Sequence, residues 1–185
     1  NDILNLNKKY FKILKSKEFP THYDKILLYD IKNDIHMEEG YKIYMYMPIN
    51  LMENILTDYV SECSGNGNYI FENKKQYEDF LKRLESLDGI TDTIIEKMTN
   101  GIKAKVTLHK RNVSEMINNI QEVLKEKSYT HTKKIKIRKD IWDKKVLKHL
   151  VNNLMRFLDF LVNDYYSHAQ DNFGLQSYKS GKHAY

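Results

Sequence analysis

Seven histidines are the residues of this 185-residue chain best able to ligate a metal or move a proton: His22, His36, His109, His131, His149, His168 and His183. None stands in a His-Glu-x-x-His arrangement, the helical spacing that puts two ligands on one zinc ion with a general base between them. The single cysteine, Cys63, has no second cysteine with which to build a zinc cluster or a disulfide. It also lacks a neighbouring histidine in sequence, and reads as a small buried or loop residue. Neither a glycine-rich phosphate loop nor a Gly-x-Ser-x-Gly elbow occurs. His168, near Gln170 and Asp171, falls at the end of a long helical pattern, where a cation suits the negative end of the helix dipole. We read it as a cap. No catalytic and no metal-ligating residue is expected in this chain.

A cluster of cations, Lys133, Lys134, Lys136, Arg138, Lys139, Lys144, Lys145 and Lys148, is the other candidate for chemistry. A nucleic-acid surface would combine such charges with aromatic side chains that stack on bases. Here Trp142 is the aromatic close by, and it fits the apolar face of a helix. The cluster reads as a solvated linker, and no nucleic-acid partner is expected. Tyr165-Tyr166 and Met45/Met47 read as core.

The element that would have to position anything is the run from Asp140 onward. Ile141, Val146, Leu150, Leu154, Leu158 and Leu161 recur at spacings of three to five, and Phe157, Phe160, Val162 and Tyr165 widen the stripe, the pattern of an amphipathic helix with a broad buried face. Asp140 is placed to cap it, Asp143 to meet its positive end, and Gly174 to stop it. An irregular tail, 176–185, follows. The run reads as a sequence cut before its next element, and the first residue, Asn1, as the start of a processed or trimmed chain.

Glycine and proline are scarce, with 7 and 2 residues, and the 3.6-residue period dominates. Both point to an all-α fold, a multi-helix array with a long C-terminal amphipathic helix. A formal net charge of +5 permits an anionic partner without demanding one. No uncharged apolar stretch of about 18 residues exists, so no transmembrane helix is expected. The compartment stays open between the cytoplasm and export.

In chain order, Asp2–Lys17 reads as a helix with Ile3, Leu6, Tyr10 and Leu14 on one face, ended by Phe19-Pro20. Thr21 with Asp24 opens a second helix in capping-box style. Tyr41–Met47 reads as a short extended segment or a helix, Leu51–Val60 as a short helix, and Ser61–Tyr69 as a loop. Asn73 with Gln76 forms a capping box for Lys74–Leu87, closed by Asp88-Gly89. Ile90–Gly101 is the next helix and Lys103–Arg111 a polar connection. Asn112 with Glu115 caps Val113–Lys127, and Ser128–Lys139 is a basic linker. The whole, 1–185, is expected to form one helical domain.

Four stretches in this order resemble a known family: Pro48-Ile49-Asn50, the helix Tyr77–Leu84 with its leucine-x-arginine-leucine end, Met98–Ile102, and the block Phe157–Tyr185 with Gly174-Leu175 and Gly181-Lys182-His183-Ala184-Tyr185. The chain is similar, from about Asp24 onward, to the N-terminal half of the bacterial domain-of-unknown-function family eight-eight-five, which is grouped with the gluzincin zinc metallopeptidases. Two departures bear on the tail. Gln170 stands where the family often has arginine, and Tyr178-Lys179-Ser180 where it often has leucine-proline before the final glycine.

The resemblance implies the non-catalytic helical half of a peptidase-like protein, one wall of a peptide-binding cleft, inactive alone. It implies that the zinc-binding His-Glu helix lies downstream of this chain, so no zinc is expected here. Gly181, Lys182 and Tyr185 are the expected cleft-facing residues, because the tail leads toward the missing half. The implied partners are that catalytic half, or a second copy through apolar helix faces, with a peptide as substrate. Members of the family are often lipoproteins. The competing expectation is a stand-alone helical protein-interaction module.

Overall fold

The computed structural model describes residues 2–18, 20–41, 43–172, 174, 177 and 178, with the backbone alone for residues 2 and 36–41. The chain is all-α. Among the described residues no β-strand forms, and the one β-bridge pairs His109 with Gln170. Two compact units result, one of residues 1–46 with 172–185, the other Met47–Asp171.

In the first unit α1 (Asp2–Lys15) packs on α2 (His22–Tyr41). α1 carries two apolar stripes, and the sequence alone does not say which one meets α2. Leu4 is the buried one, with Phe11 and Leu14 half-buried, whereas Ile3, Leu6 and Tyr10 of the expected face are at least half exposed. Tyr44–Tyr46 forms a single 3₁₀ turn rather than an extended segment, and leaves Met45 exposed.

The start of α2 is as the sequence reads. The Asp24 amide donates to Thr21 Oγ1 at 3.1 Å, and Asp24 Oδ2 accepts from the Thr21 amide at 2.9 Å. Lys17 Nζ donates to Asp24 Oδ1 at 2.7 Å. The Lys17 ammonium first, and the Thr21 donors after it, lower the Asp24 carboxyl from an ordinary 3.8 to about 2. A depressed carboxylate contributes stability above its unfolded value, and that contribution is lost as pH falls through the folded one. Between about pH 4 and pH 2 the melting temperature of the wild-type chain is therefore expected to fall more steeply than that of Asp24→Asn. Parallel curves in a pH series of thermal melts would refute this.

The second unit holds the main core. α3 (Ile55–Ser64) starts four residues later than the apolar pattern indicates. Asn50 Oδ1 takes the amides of Met52 (2.8 Å) and Glu53 (2.9 Å), turning 51–53 out of helical geometry, and Asn54 caps the Leu56 amide at 3.1 Å. The helix then runs to Ser64, into the expected loop, and stops at Gly65 in the left-handed region (φ 80°). Cys63 is fully buried here, and that burial pushes its thiol up.

α4 (Lys74–Glu85) has the expected Asn73–Gln76 capping box and buries Tyr77, Phe80, Leu81 and Leu84. α5 (Leu87–Ala104) follows at once. Asp88-Gly89 does not end a helix. Leu87 is fully buried and holds the first turn of α5, and Gly89 lies within that helix with open space where a Cβ would be.

The connection after α5 is anchored rather than merely polar. Leu108 and Thr107 are buried, the Leu108 amide donates to Tyr165 Oη at 2.8 Å, and the Gln170 amide donates to the Leu108 carbonyl at 3.0 Å. This anchoring starts α6 (Lys110–Glu126) early. His109 Nδ1, not Asn112, caps it by accepting the Arg111 amide at 3.1 Å. Segment 127–138 is likewise no free linker. Tyr129, Ile135 and Ile137 pack on the core, the Thr132 amide donates to the Ser64 carbonyl at 3.1 Å, and Lys133 and Lys136 donate to the carbonyls of Gly65 and Glu72.

The long C-terminal run is helical from Lys139 to His168 but is not one α-helix. α7 (Lys139–Lys145) passes through a π-turn, Val146–Val151, into α8 (Asn152–Phe160), then through a second π-turn, Leu161–Tyr165, to a 3₁₀ turn, Tyr166–His168. Its buried positions explain why. Trp142, Val146, Leu150, Leu154, Phe157, Leu161 and Tyr165 step mostly by four. Four residues advance an α-helix by about 40° beyond a full turn. The wider π-turns absorb that drift and keep the stripe on one face. Asp140 lies in the first turn rather than at the cap, paired with Arg138, and Asp143 pairs with Lys139 at 2.8 Å. Ile141, Val162 and Tyr166 fall outside the stripe and are exposed. The helix stops at His168, short of Gly174, where Ala169 turns extended.

Trp142 is the hub of the core. It stacks on Phe80 (centroids 5.6 Å, planes 16° apart) and meets Phe71, Tyr77 and His131 edge-on at 5.9, 5.5 and 5.2 Å.

Candidate functional site

A concavity of the second unit lies between the turn before α3 and the first turns of α5, with a volume of about 760 Å³. Pro48, Ile49, Ile55, Ile90 and Ile94 line it, and Met52, 89% exposed, stands at its edge. Local chemistry builds both walls. The Asn50 and Asn54 side-chain bonds fold Pro48–Asn54 into a turn that buries Ile49 and throws Met52 outward. On the other wall α4 ends and α5 begins at Ser86, whose hydroxyl donates to the Arg83 carbonyl at 2.6 Å. Gly89, without a side chain, then leaves the space in front of Ile90 open. Glu53, Asp58, Thr93 and Lys97 supply a polar rim. An apolar floor with a sparse polar rim is common in ligand pockets, and the volume lies within their about 300–1,000 Å³ range.

A polar cluster joins α5 to the C-terminal run. The Asp88 carboxylate accepts from Asn153 Nδ2 at 2.6 Å and from His149 Nδ1 at 3.2 Å. Arg156 donates to Asn153 Oδ1 at 2.9 Å and to Asp92. The Asn153 amide above all, and His149 after it, hold the Asp88 carboxyl below its usual range. His149 is held like a general base, but its Nε2 is buried without a partner and reaches no hydroxyl, thiol or second ligand. The cluster fastens α5 to the C-terminal run.

The other buried histidine, His131, keeps Nδ1 within 2.9 Å of the Lys133 carbonyl, and burial lowers its affinity for a proton. His109 Nε2 donates to the Asp171 carbonyl at 3.1 Å. His168 acts as the cap expected of it, with Nδ1 donating to the Asp164 carbonyl at 2.8 Å. Among the described residues no three His, Cys, Asp or Glu side chains gather in a way that could hold a metal ion, so these residues offer zinc no donor set. No helix among them is long and apolar enough to cross a membrane.

The expected cleft-facing residues Gly181, Lys182 and Tyr185 lie outside the described residues. The groove was not foreseen. Its one sequence signal is that Pro48-Ile49-Asn50, a stretch that carries the family resemblance, forms one of its walls.

The fold is thus an all-α helical array, with no group of three metal-ligating side chains among the described residues. The match to the family described as "Bacterial protein of unknown function (DUF885)" covers residues 13–185, and the chain belongs to that family. No curated protein and no solved structure matches it.

Proposed function

We propose that this chain is the non-catalytic, N-terminal helical part of a zinc-metallopeptidase-like protein and forms one wall of its peptide-binding cleft. The groove between Pro48–Asp58 and α5 carries this reading, because its floor suits the apolar side chains of an extended peptide and its rim can meet the peptide's backbone. Zinc and the groups that activate water belong, in this reading, to another part of the protein. That part also covers the outer face of the C-terminal run, where Ile141, Leu147, Met155 and Val162 are each at least 42% exposed. A stand-alone interaction module, the other reading, would leave less of that face bare.

Fluorescence anisotropy with labelled peptides from unfolded casein tests the proposal. Ile90 is half-buried, so Ile90→Asp is tolerated by the fold while placing a charge in the groove. Losing the contact of one buried aliphatic side chain, about 1.5–3 kcal/mol, corresponds to roughly 10–150-fold weaker binding. Equal affinity of wild type, Ile90→Asp and Met52→Asp would overturn the assignment, as would one tightly bound zinc per purified chain.

A further inference from the structure

A second pocket, of about 540 Å³, opens on the other side of Ile55 and Asp58, beneath the loop that follows α3. Its walls are aromatic. Tyr59 and Tyr69 flank Phe80 with centroids 5.7 and 6.5 Å away. The loop is drawn tightly over Glu62, whose carboxylate accepts the amides of Asn68 (2.8 Å) and Tyr69 (3.0 Å). A Cβ on Gly67 would fall 2.2 Å from Glu62 Cδ, so a side chain here would displace the Glu62 carboxylate that holds the loop.

Glu62 is thereby engaged, and the remaining charges on the pocket are two. The Asp58 carboxylate, one helical turn before Glu62, has no hydrogen bond and no ion pair among the described residues. Arg83 lays its guanidinium over Tyr69 at 4.7 Å and Phe80 at 5.6 Å from the ring centroids; it forms no close ion pair among the described residues, and the Asp79 carboxylate, already held by Lys75, acts on it only at longer range. The two do not pair with each other. A purely cationic guest would be repelled by Arg83, and a purely anionic one by Asp58. A guest with both charges satisfies each, with its ammonium on Asp58 and its carboxylate on the planar fork of Arg83, which matches carboxylate geometry. The rings then take an apolar or aromatic side chain.

We propose that this pocket binds a zwitterionic amino acid or short peptide with both termini free and an aromatic or large apolar side chain. The site shares the ridge of Ile55 and Asp58 with the groove above, whereas its aromatic walls and Arg83 lie outside that groove.

Calorimetric titration of the whole chain with Phe-Phe, free phenylalanine, N-acetyl-Phe-Phe and Phe-Phe-amide tests it. The free dipeptide or free phenylalanine is expected to bind, and the better of the two identifies the length the pocket takes. Blocking either terminus of the dipeptide is expected to weaken binding at least about tenfold. The penalty of acetylation should vanish in Asp58→Asn, and that of amidation in Arg83→Gln. Both altered side chains are exposed, and the ligand series on the unaltered chain needs no variant at all. Blocked dipeptides that bind within twofold of the free one, or no binding of any of the four up to about 10 mM, would overturn the proposal.

Discussion

Trp142→Ala is expected to remove about 3–5 kcal/mol of stability, the range for truncating a large aromatic side chain in a packed core. The indole is fully buried and touches rings from four other positions: Phe71 before α4, Tyr77 and Phe80 on it, and His131 in the segment after α6. Removing it opens a cavity at the one place where these elements meet the C-terminal run, and rings held by one another cannot easily collapse into the gap. Trp142→Phe should cost clearly less. The indole Nε1 is buried without an acceptor, so the smaller ring loses contact area but no hydrogen bond. Urea unfolding followed by far-ultraviolet circular dichroism measures both, since the sole tryptophan is lost as a fluorescent probe in each variant. An alanine variant within about 1 kcal/mol of wild type would show that the hub is misassigned.

Tyr165→Phe is the second large effect, and the more specific one. Tyr165 is fully buried, and its oxygen is the acceptor for the Leu108 amide. Phenylalanine keeps the ring and its packing but strands a buried N–H, which costs about 1–3 kcal/mol. The loss should be local in origin. The amide protons of Leu108 and Gln170 are expected to gain more in exchange rate than those in the middle of α4, which follow global stability. Unchanged exchange at Leu108 would contradict the role given to this hydroxyl.

What could be read ahead of the structure follows the range of the interaction involved. The Thr21–Asp24 and Asn73–Gln76 caps, and the Tyr77, Phe80, Leu81 and Leu84 stripe, depend on residues within two helical turns, and they form as read. The cap of α6 went elsewhere because Tyr165, far along the chain, fixes Leu108 and so sets where the helix can begin. The Asp88-Gly89 stop failed because a buried Leu87 outweighs the modest helical cost of one glycine. The π-turns were hinted at by apolar residues every four positions, a spacing too long for an α-helix, yet it takes the packed face to show that the backbone, not the side chains, absorbs the mismatch. The groove and the aromatic pocket were the least legible. Each is made by segments some thirty residues apart that carry no shared motif, and Asp58 and Arg83 gain meaning only from facing the same space.

Cys63 gives the molecule a built-in reporter. It is the sole thiol of the chain, it is enclosed on α3, and its environment disfavours the thiolate that alkylating reagents attack. Reaction with such a reagent therefore has to wait until α3 lifts from its neighbours. The labelling half-time reads out how often that helix opens in the native protein, and anything seated in the groove or pocket that α3 helps to line should lengthen it.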